Sequence, residues 1–350
     1  MPHHPISAGS VERISTSARR DSSITPNWPS YTGTSQLVGT SPSGQVTVYV
    51  DPTLGNSGLQ NAQDLVNDAD RVVIANNSIF GTAGGPVSVI IFALNGATDG
   101  TGGADHMGCD FVNGGAIEVC AAFNNSARVS ALFEAELSEC SMGGNLCGVS
   151  TGEGLSRWCA AVIGSNALSD FATAPQWYQD GMPDYINQTD PTDQNADSTG
   201  ATMAFLSWLM SQGHTLSQIA QAMVALGSTG TLAQLYANLT GNAASDALPN
   251  FTSAINSLPN GINNDDPFQG ASQPAQLAHL APWAVELAGK IFATILADIA
   301  AGKQHNQIVA NVRASLSSAP TRKGMATSAT ACSVGSHRLN APRRAAAGAS

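Results

Sequence analysis

The stretch ARVSALFEAELSEC, residues 127–140, decides how this chain is read. Ala, Leu and Glu dominate its middle, so it is expected to be helical. At about 100° per residue, Val129, Leu132, Phe133, Glu136 and Cys140 fall on one apolar stripe. Glu136 sits in the middle of that stripe, and Glu139 lies at its edge. Glu134 and Ser138 are expected to face solvent. A carboxylate turned toward a core is costly unless a cation, a metal or a donor meets it. Glu136 is therefore the first candidate functional residue.

Around this helix the chain is long enough, at 350 residues, for a sizeable core. Charged residues make up 11%, against about 25% in ordinary soluble domains. The formal net charge of -11 argues against a nucleic-acid partner, because phosphate binding needs a basic face. No stretch reads as a membrane span, since the most apolar helical segment carries Glu286, Lys290 and Asp298. The first residues hold no continuous apolar run. A cytoplasmic protein is therefore expected by default, and a secreted one if the start is misassigned. Oligomeric state is not legible.

Six cysteines occur. Without a leader, reduced thiols are expected, although Cys109 with Cys120 and Cys140 with Cys147 could form two local disulfides. No C-x-x-C pair exists, which argues against a thiolate zinc site.

In chain order, residues 1–44 are rich in Ser, Thr, Pro and Gly and read as a flexible arm. Residues 45–165 read as an α+β subdomain. Its strands are expected at 45–50 and 86–94, with a helix at 57–79 between them. A Gly-rich loop over 96–108 holds Asp99, Asp105 and His106. Asn113-Gly114-Gly115 signals a hairpin. The Glu-bearing helix follows, and then a second helix at 151–163 whose start has a capping-box pattern, Ser150 with Glu153. Residues 166–260 read as a helical lobe with helices at 199–210, 216–226, 231–239 and 246–258. Residues 261–316 read as a long C-terminal helical segment and 317–350 as a disordered tail. The fold class is thus α+β: a small mixed sheet with an antiparallel edge hairpin, then a mostly helical lobe.

Two segments, AELSE at 135–139 and GEGLS at 152–156, follow that sheet. With the strand order, they resemble the catalytic half of zincin metallopeptidases, in particular the gluzincin branch. There an active-site helix carries His-Glu-x-x-His, and a later helix supplies a third metal ligand. The resemblance places Glu136 as general base, Glu139 at the second ligand position and Glu153 at the third. Ala135 stands where the first His would be, so the ligand set is altered. His106 is the nearby residue that could replace the missing ligand. The resemblance thus implies one divalent metal, zinc or another, a peptide or protein substrate, and hydrolase ancestry with altered or lost activity.

Each residue has a plainer reading. Glu136 could pair with Arg157, Glu139 could be solvated, Glu153 could close the capping box, and His106 could be an exposed loop residue. The oxygen-rich loop at 190–197 could wrap calcium, but its spacing fits Asx-turns before a helix better. Trp177 and Tyr185 could line a substrate groove or pin the loop between lobes. No Gly-x-Ser-x-Gly occurs with a following Asp and His in suitable context, and no phosphate-binding fingerprint is present. Two other functions compete with the hydrolase. One is a non-catalytic module binding an extended peptide by strand addition on the same body. The other is an extracellular structural protein stapled by disulfides.

Overall fold

The computed structural model describes residues 26–109 and 115–271, together with Gln307, Asn311 and 336–338. The protein is mixed α+β. Strands β1 (Gln36–Thr40), β2 (Val46–Val50), β3 (Val87–Phe92), β4 (Ala104–Met107), β5 (Ala116–Cys120) and β6 (Ser336–Arg338) form one sheet, in the order β1-β2-β3-β5-β4-β6. β2, β3 and β5 run parallel, while β1, β4 and β6 each pair antiparallel with their neighbour. The parallel centre is built from valine and isoleucine because both of its faces are covered. Helix α1 (Gly55–Phe80) carries the chain from β2 to β3 and ends on Gly81, whose φ of 67° supplies a left-handed cap.

Register then decides which side chains share a face. Tyr49, Ile90, Glu118 and Asp105 lie in one lateral row. Val48, Val89, Ile117 and His106 form the adjacent row, so they point to the opposite face. Trp28 packs edge-on against Tyr49, with ring centroids 5.4 Å apart, and thereby covers the first face. The second face meets helix α2 (Ser126–Ser141), which follows β5.

Helix α3 (Ser150–Ile163) packs on α2 and on α5 (Ala196–Ser211). It thereby joins the sheet core to a helical core. That second core contains α4 (Ala174–Gln179), α6 (Leu216–Leu226), α7 (Leu232–Thr240) and α8 (Ala247–Asn256). Its centre is aromatic: Trp177 stacks on Phe251 at 5.9 Å, and Phe205 meets Phe251 edge-on at 5.0 Å.

Several expectations need correction. Residues 26–44, read as part of a flexible arm, include β1 and the cover over the sheet. Asp105 and His106 lie on β4 rather than in a loop. This strand is short and bounded by glycine, so its own sequence carries little strand signal; pairing with β5 and β6 creates it. The outer side of β4 is taken by β6, so β4 is not an edge. β6 comes from the tail read as disordered. Glu134 and Ser138 are buried, because α1 covers that side of α2 and Asn76 donates to both of their side-chain oxygens, at 3.1 and 2.9 Å. The Ser150–Glu153 capping box does not form, since Val149 occupies the cap position. Thr215 with Gln218, and Thr231 with Gln234, do form capping boxes. The hairpin tip at 110–114 lies outside the described residues. So does the long C-terminal helix, except Gln307 and Asn311, which are helical.

Candidate functional site

The candidate centre lies where β4 meets the seam between α2 and α3. The register that turns His106 toward α2 brings its Nδ1 to 2.7 Å from Glu136 Oε2 and to 3.8 Å from Glu139 Oε2. Arg128 of α2 helps to fix this approach. It donates to the Gly102 carbonyl at 3.0 Å, two residues before β4, and pairs with Asp170 at 2.8 Å. Its guanidinium also lies over the Phe171 ring, 4.5 Å from the centroid.

Glu153 enters from α3, one helix away. Glycines flank it for a steric reason. A Cβ on Gly152 would collide with the Leu146 carbonyl, and one on Gly154 would stand 2.5 Å from Thr202 Cβ. The GEG segment therefore lets α3 approach both neighbours closely, which buries Glu153 beside Glu139. Ser156 donates to Glu139 Oε1 at 3.0 Å and orients that carboxylate.

The electrostatics follow from this crowding. Glu136 is 1% exposed and His106 0%. Burial pushes the Glu136 carboxyl well above the usual carboxylate range, and the nearby charges of Glu139, Asp105 and Asp193 push the same way. Burial likewise raises Glu153; Glu139 adds to this, while Arg157 opposes it. Arg157 stands 3.9 Å from Glu153 and 3.6 Å from Asp265, and also donates to the Phe171 carbonyl. It does not pair with Glu136 in the manner the plainer reading proposed. Among the described residues, Glu136 Oε1 has no hydrogen-bond partner.

These features test whether a cation suits the site. Two ligand atoms on one tetrahedral ion stand roughly 3.3 Å apart, given metal–ligand bonds of about 2.0–2.1 Å. The 3.8 Å between His106 Nδ1 and Glu139 Oε2 is near that separation, whereas the 2.7 Å to Glu136 is a hydrogen bond. His106, Glu136 and Glu139 together form an oxygen- and nitrogen-donor cluster able to hold a metal ion. The donor set and the unsatisfied Glu136 oxygen fit a divalent ion.

Four sequence candidates, His106, Glu136, Glu139 and Glu153, thus come together. Trp177 and Tyr185 do not join them. Trp177 is buried in the helical core and donates from Nε1 to the Pro183 carbonyl at 2.9 Å. Tyr185 accepts from Asn195 Nδ2 at 2.9 Å, within the loop before α5. That loop forms Asx-turns, as expected: Asp190 accepts from the Thr192 amide, and Asn195 from the Asp197 amide. Asp193, on the same loop, was missed as a neighbour of Glu136. The Asp190 carbonyl receives the Ser150 amide at 3.2 Å and so brings this loop to the start of α3.

The cysteine pairing is also corrected. The bond joins Cys109 to Cys147, 38 residues apart, and Cys120 and Cys159 are buried free thiols. Cys147 Sγ lies 3.9 Å from His106 Nε2. A cavity of about 240 Å³ is lined by Arg157, Leu168, Met203, Asn264 and Asp265, among others, but not by His106 or Glu136.

Fold and site thus define an α+β protein with a buried histidine–carboxylate centre. Comparison with family models, with curated proteins and with solved structures finds no match for the chain.

Proposed function

We propose that this chain is a metallopeptidase-like protein of hydrolase ancestry, built on a zincin-like body with an altered ligand set. The observation that carries the reading is the convergence of His106 on Glu136 and Glu139, with Glu153 beside Glu139, all buried. Three buried carboxylates beside one arginine require protons or a cation. The order of elements adds support: parallel strands, an antiparallel β4, then two acid-bearing helices. His106, supplied by β4, takes over the ligand role that Ala135 cannot fill.

In this reading His106, Glu139 and Glu153 hold the ion, Ser156 orients Glu139, and Arg157 offsets part of the Glu153 charge. When bound, a divalent ion supplies Lewis acidity and lowers the pKa of water. Glu136 acts as general base, and burial among like charges raises its proton affinity above that of an ordinary carboxylate. Glu136 Oε1, which has no hydrogen-bond partner among the described residues, is left to receive a proton. The substrate class is peptide or protein.

Metal analysis of the purified chain, followed by peptidase assays with added zinc or manganese, tests this. A stoichiometric ion is expected, with a loss of about 100-fold in hydrolysis for Glu136→Gln while metal is retained. No ion and no gain on addition would remove the reading.

A second reading, a non-catalytic peptide-binding module on the same body, is favoured by the near-complete burial of His106 and Glu136. Strand addition beyond β4 would have to displace β6. Under this reading Glu136→Gln leaves peptide binding unchanged.

A further inference from the structure

The disulfide stands beside the same histidine that serves the carboxylates, on the opposite edge of its ring. His106 Nδ1 hydrogen-bonds to Glu136 at 2.7 Å, and Nε2 faces Cys147 Sγ at 3.9 Å. Cys109, Cys147 and His106 each present a ligand atom, all within 4.8 Å of one another. Histidines that bind a metal through one nitrogen usually give the other N–H to a carboxylate, which fixes the tautomer and strengthens the ligand. His106 already has that partner in Glu136. This inference does not rest on the hydrolase reading, because it uses Nε2 and two sulfurs rather than Nδ1 and two carboxylates.

We infer that reduction of the Cys109–Cys147 bond creates a soft-metal site, in which both thiolates and His106 Nε2 bind a zinc-class divalent ion and Glu136 orients the ring. The chemistry balances. A phosphine reductant takes up oxygen from water and becomes its oxide. The disulfide accepts two electrons and two protons and becomes two thiols. Each thiol then loses its proton to solvent as the ion binds.

The geometry asks for little movement. Two thiolates on one tetrahedral ion lie roughly 3.7 Å apart, with Zn–S bonds of about 2.3 Å. The Cα atoms of Cys109 and Cys147 are 6.0 Å apart, a span that accommodates that separation by side-chain rotation. Three protein ligands leave a fourth position for water or substrate, the arrangement of catalytic rather than structural zinc. In the oxidised chain the sulfurs bind each other, and the carboxylate side of His106 is the only one of these two donor sets able to take an ion. Redox state therefore selects which edge of one imidazole, and which class of metal, is used.

Cobalt(II) is the probe, because thiolate ligation gives it a charge-transfer absorption that carboxylates and imidazole do not. The full chain is titrated with cobalt(II) oxidised, and again after reduction with a phosphine under argon. About one equivalent with the thiolate band is expected in the reduced chain, and no such band in the oxidised chain. Cys147→Ser should abolish the band. Glu136→Gln should keep it but weaken affinity roughly 10- to 100-fold, as loss of an orienting partner does. His106→Ala, checked for folding by circular dichroism, should weaken it further, and His106→Gln replaces it in that comparison if the alanine variant does not fold. The inference is overturned if the reduced chain shows no thiolate band, or if the band survives in Cys147→Ser, which would assign it to other cysteines. Cobalt binding by the oxidised chain without the band would support the carboxylate centre alone, and absence of that binding leaves the reduced-state result standing.

Discussion

Two buried carboxylates of the same sheet–helix unit, Glu118 and Glu136, live under opposite regimes. Glu118 on β5 accepts from the Ser30 amide at 2.8 Å, the Ser30 hydroxyl at 2.6 Å and the Tyr31 amide at 2.6 Å. Its charge is satisfied by donors, and it staples the segment 26–31 over the sheet. Glu136 hydrogen-bonds to His106, and the charges of Glu139, Asp105 and Asp193 act on it. Burial alone therefore does not mark a functional acid. What marks it is burial among like charges with too few donors.

The contrast can be broken most directly by removing each acid. Glu118→Ala strands two backbone amides and a hydroxyl, and should cost roughly 3 kcal/mol in chemical denaturation. Glu136→Gln relieves repulsion and should leave stability unchanged or raised. Equal losses at the two positions would sink the distinction.

A steric change sharpens it next. Gly154→Ala places a methyl group against Thr202 and should cost about 2 kcal/mol by overpacking. It should also weaken any response of the melting temperature to divalent ions, since α3 carries Glu153. A cost with an intact ion response would separate the packing from the centre.

A pH slope tests a third buried acid of the same helix. Glu134, held by Asn76 and Ser138, is pushed up to about 8 by burial. Its folded form holds the proton more tightly than the unfolded chain does. Its contribution is thus fully present below the ordinary glutamate range and is lost as pH rises toward 8. The slope is at most about 1.4 kcal/mol per pH unit for one proton. Denaturation from pH 5 to 8 should show this decline, and Glu134→Gln should lessen it by about one proton's share. An unchanged slope in that variant would remove Glu134 as the cause.

How much of this was legible in the sequence depends on the range of the interactions. α2 showed in its Ala, Leu and Glu content, because that signal is local. The inward turn of Glu136 followed from the helical stripe. The inward turn of Glu134 did not, because Asn76 reaches it from α1, 58 residues away in sequence. His106 read as a loop residue since its strand exists by pairing with partners on both sides. The Cys109–Cys147 bond was hidden by a separation of 38 residues. The acid pair on α2 was visible, while the histidine that organises it was visible only as a candidate.

β6 has one more consequence. By covering the outer backbone of β4, Ser336–Arg338 keeps a row of amides and carbonyls from standing open. A chain cut before Ser336 would expose that row beside His106. Two such chains could then join strand to strand, so truncation from the C-terminal end would make the chain prone to self-association through β4.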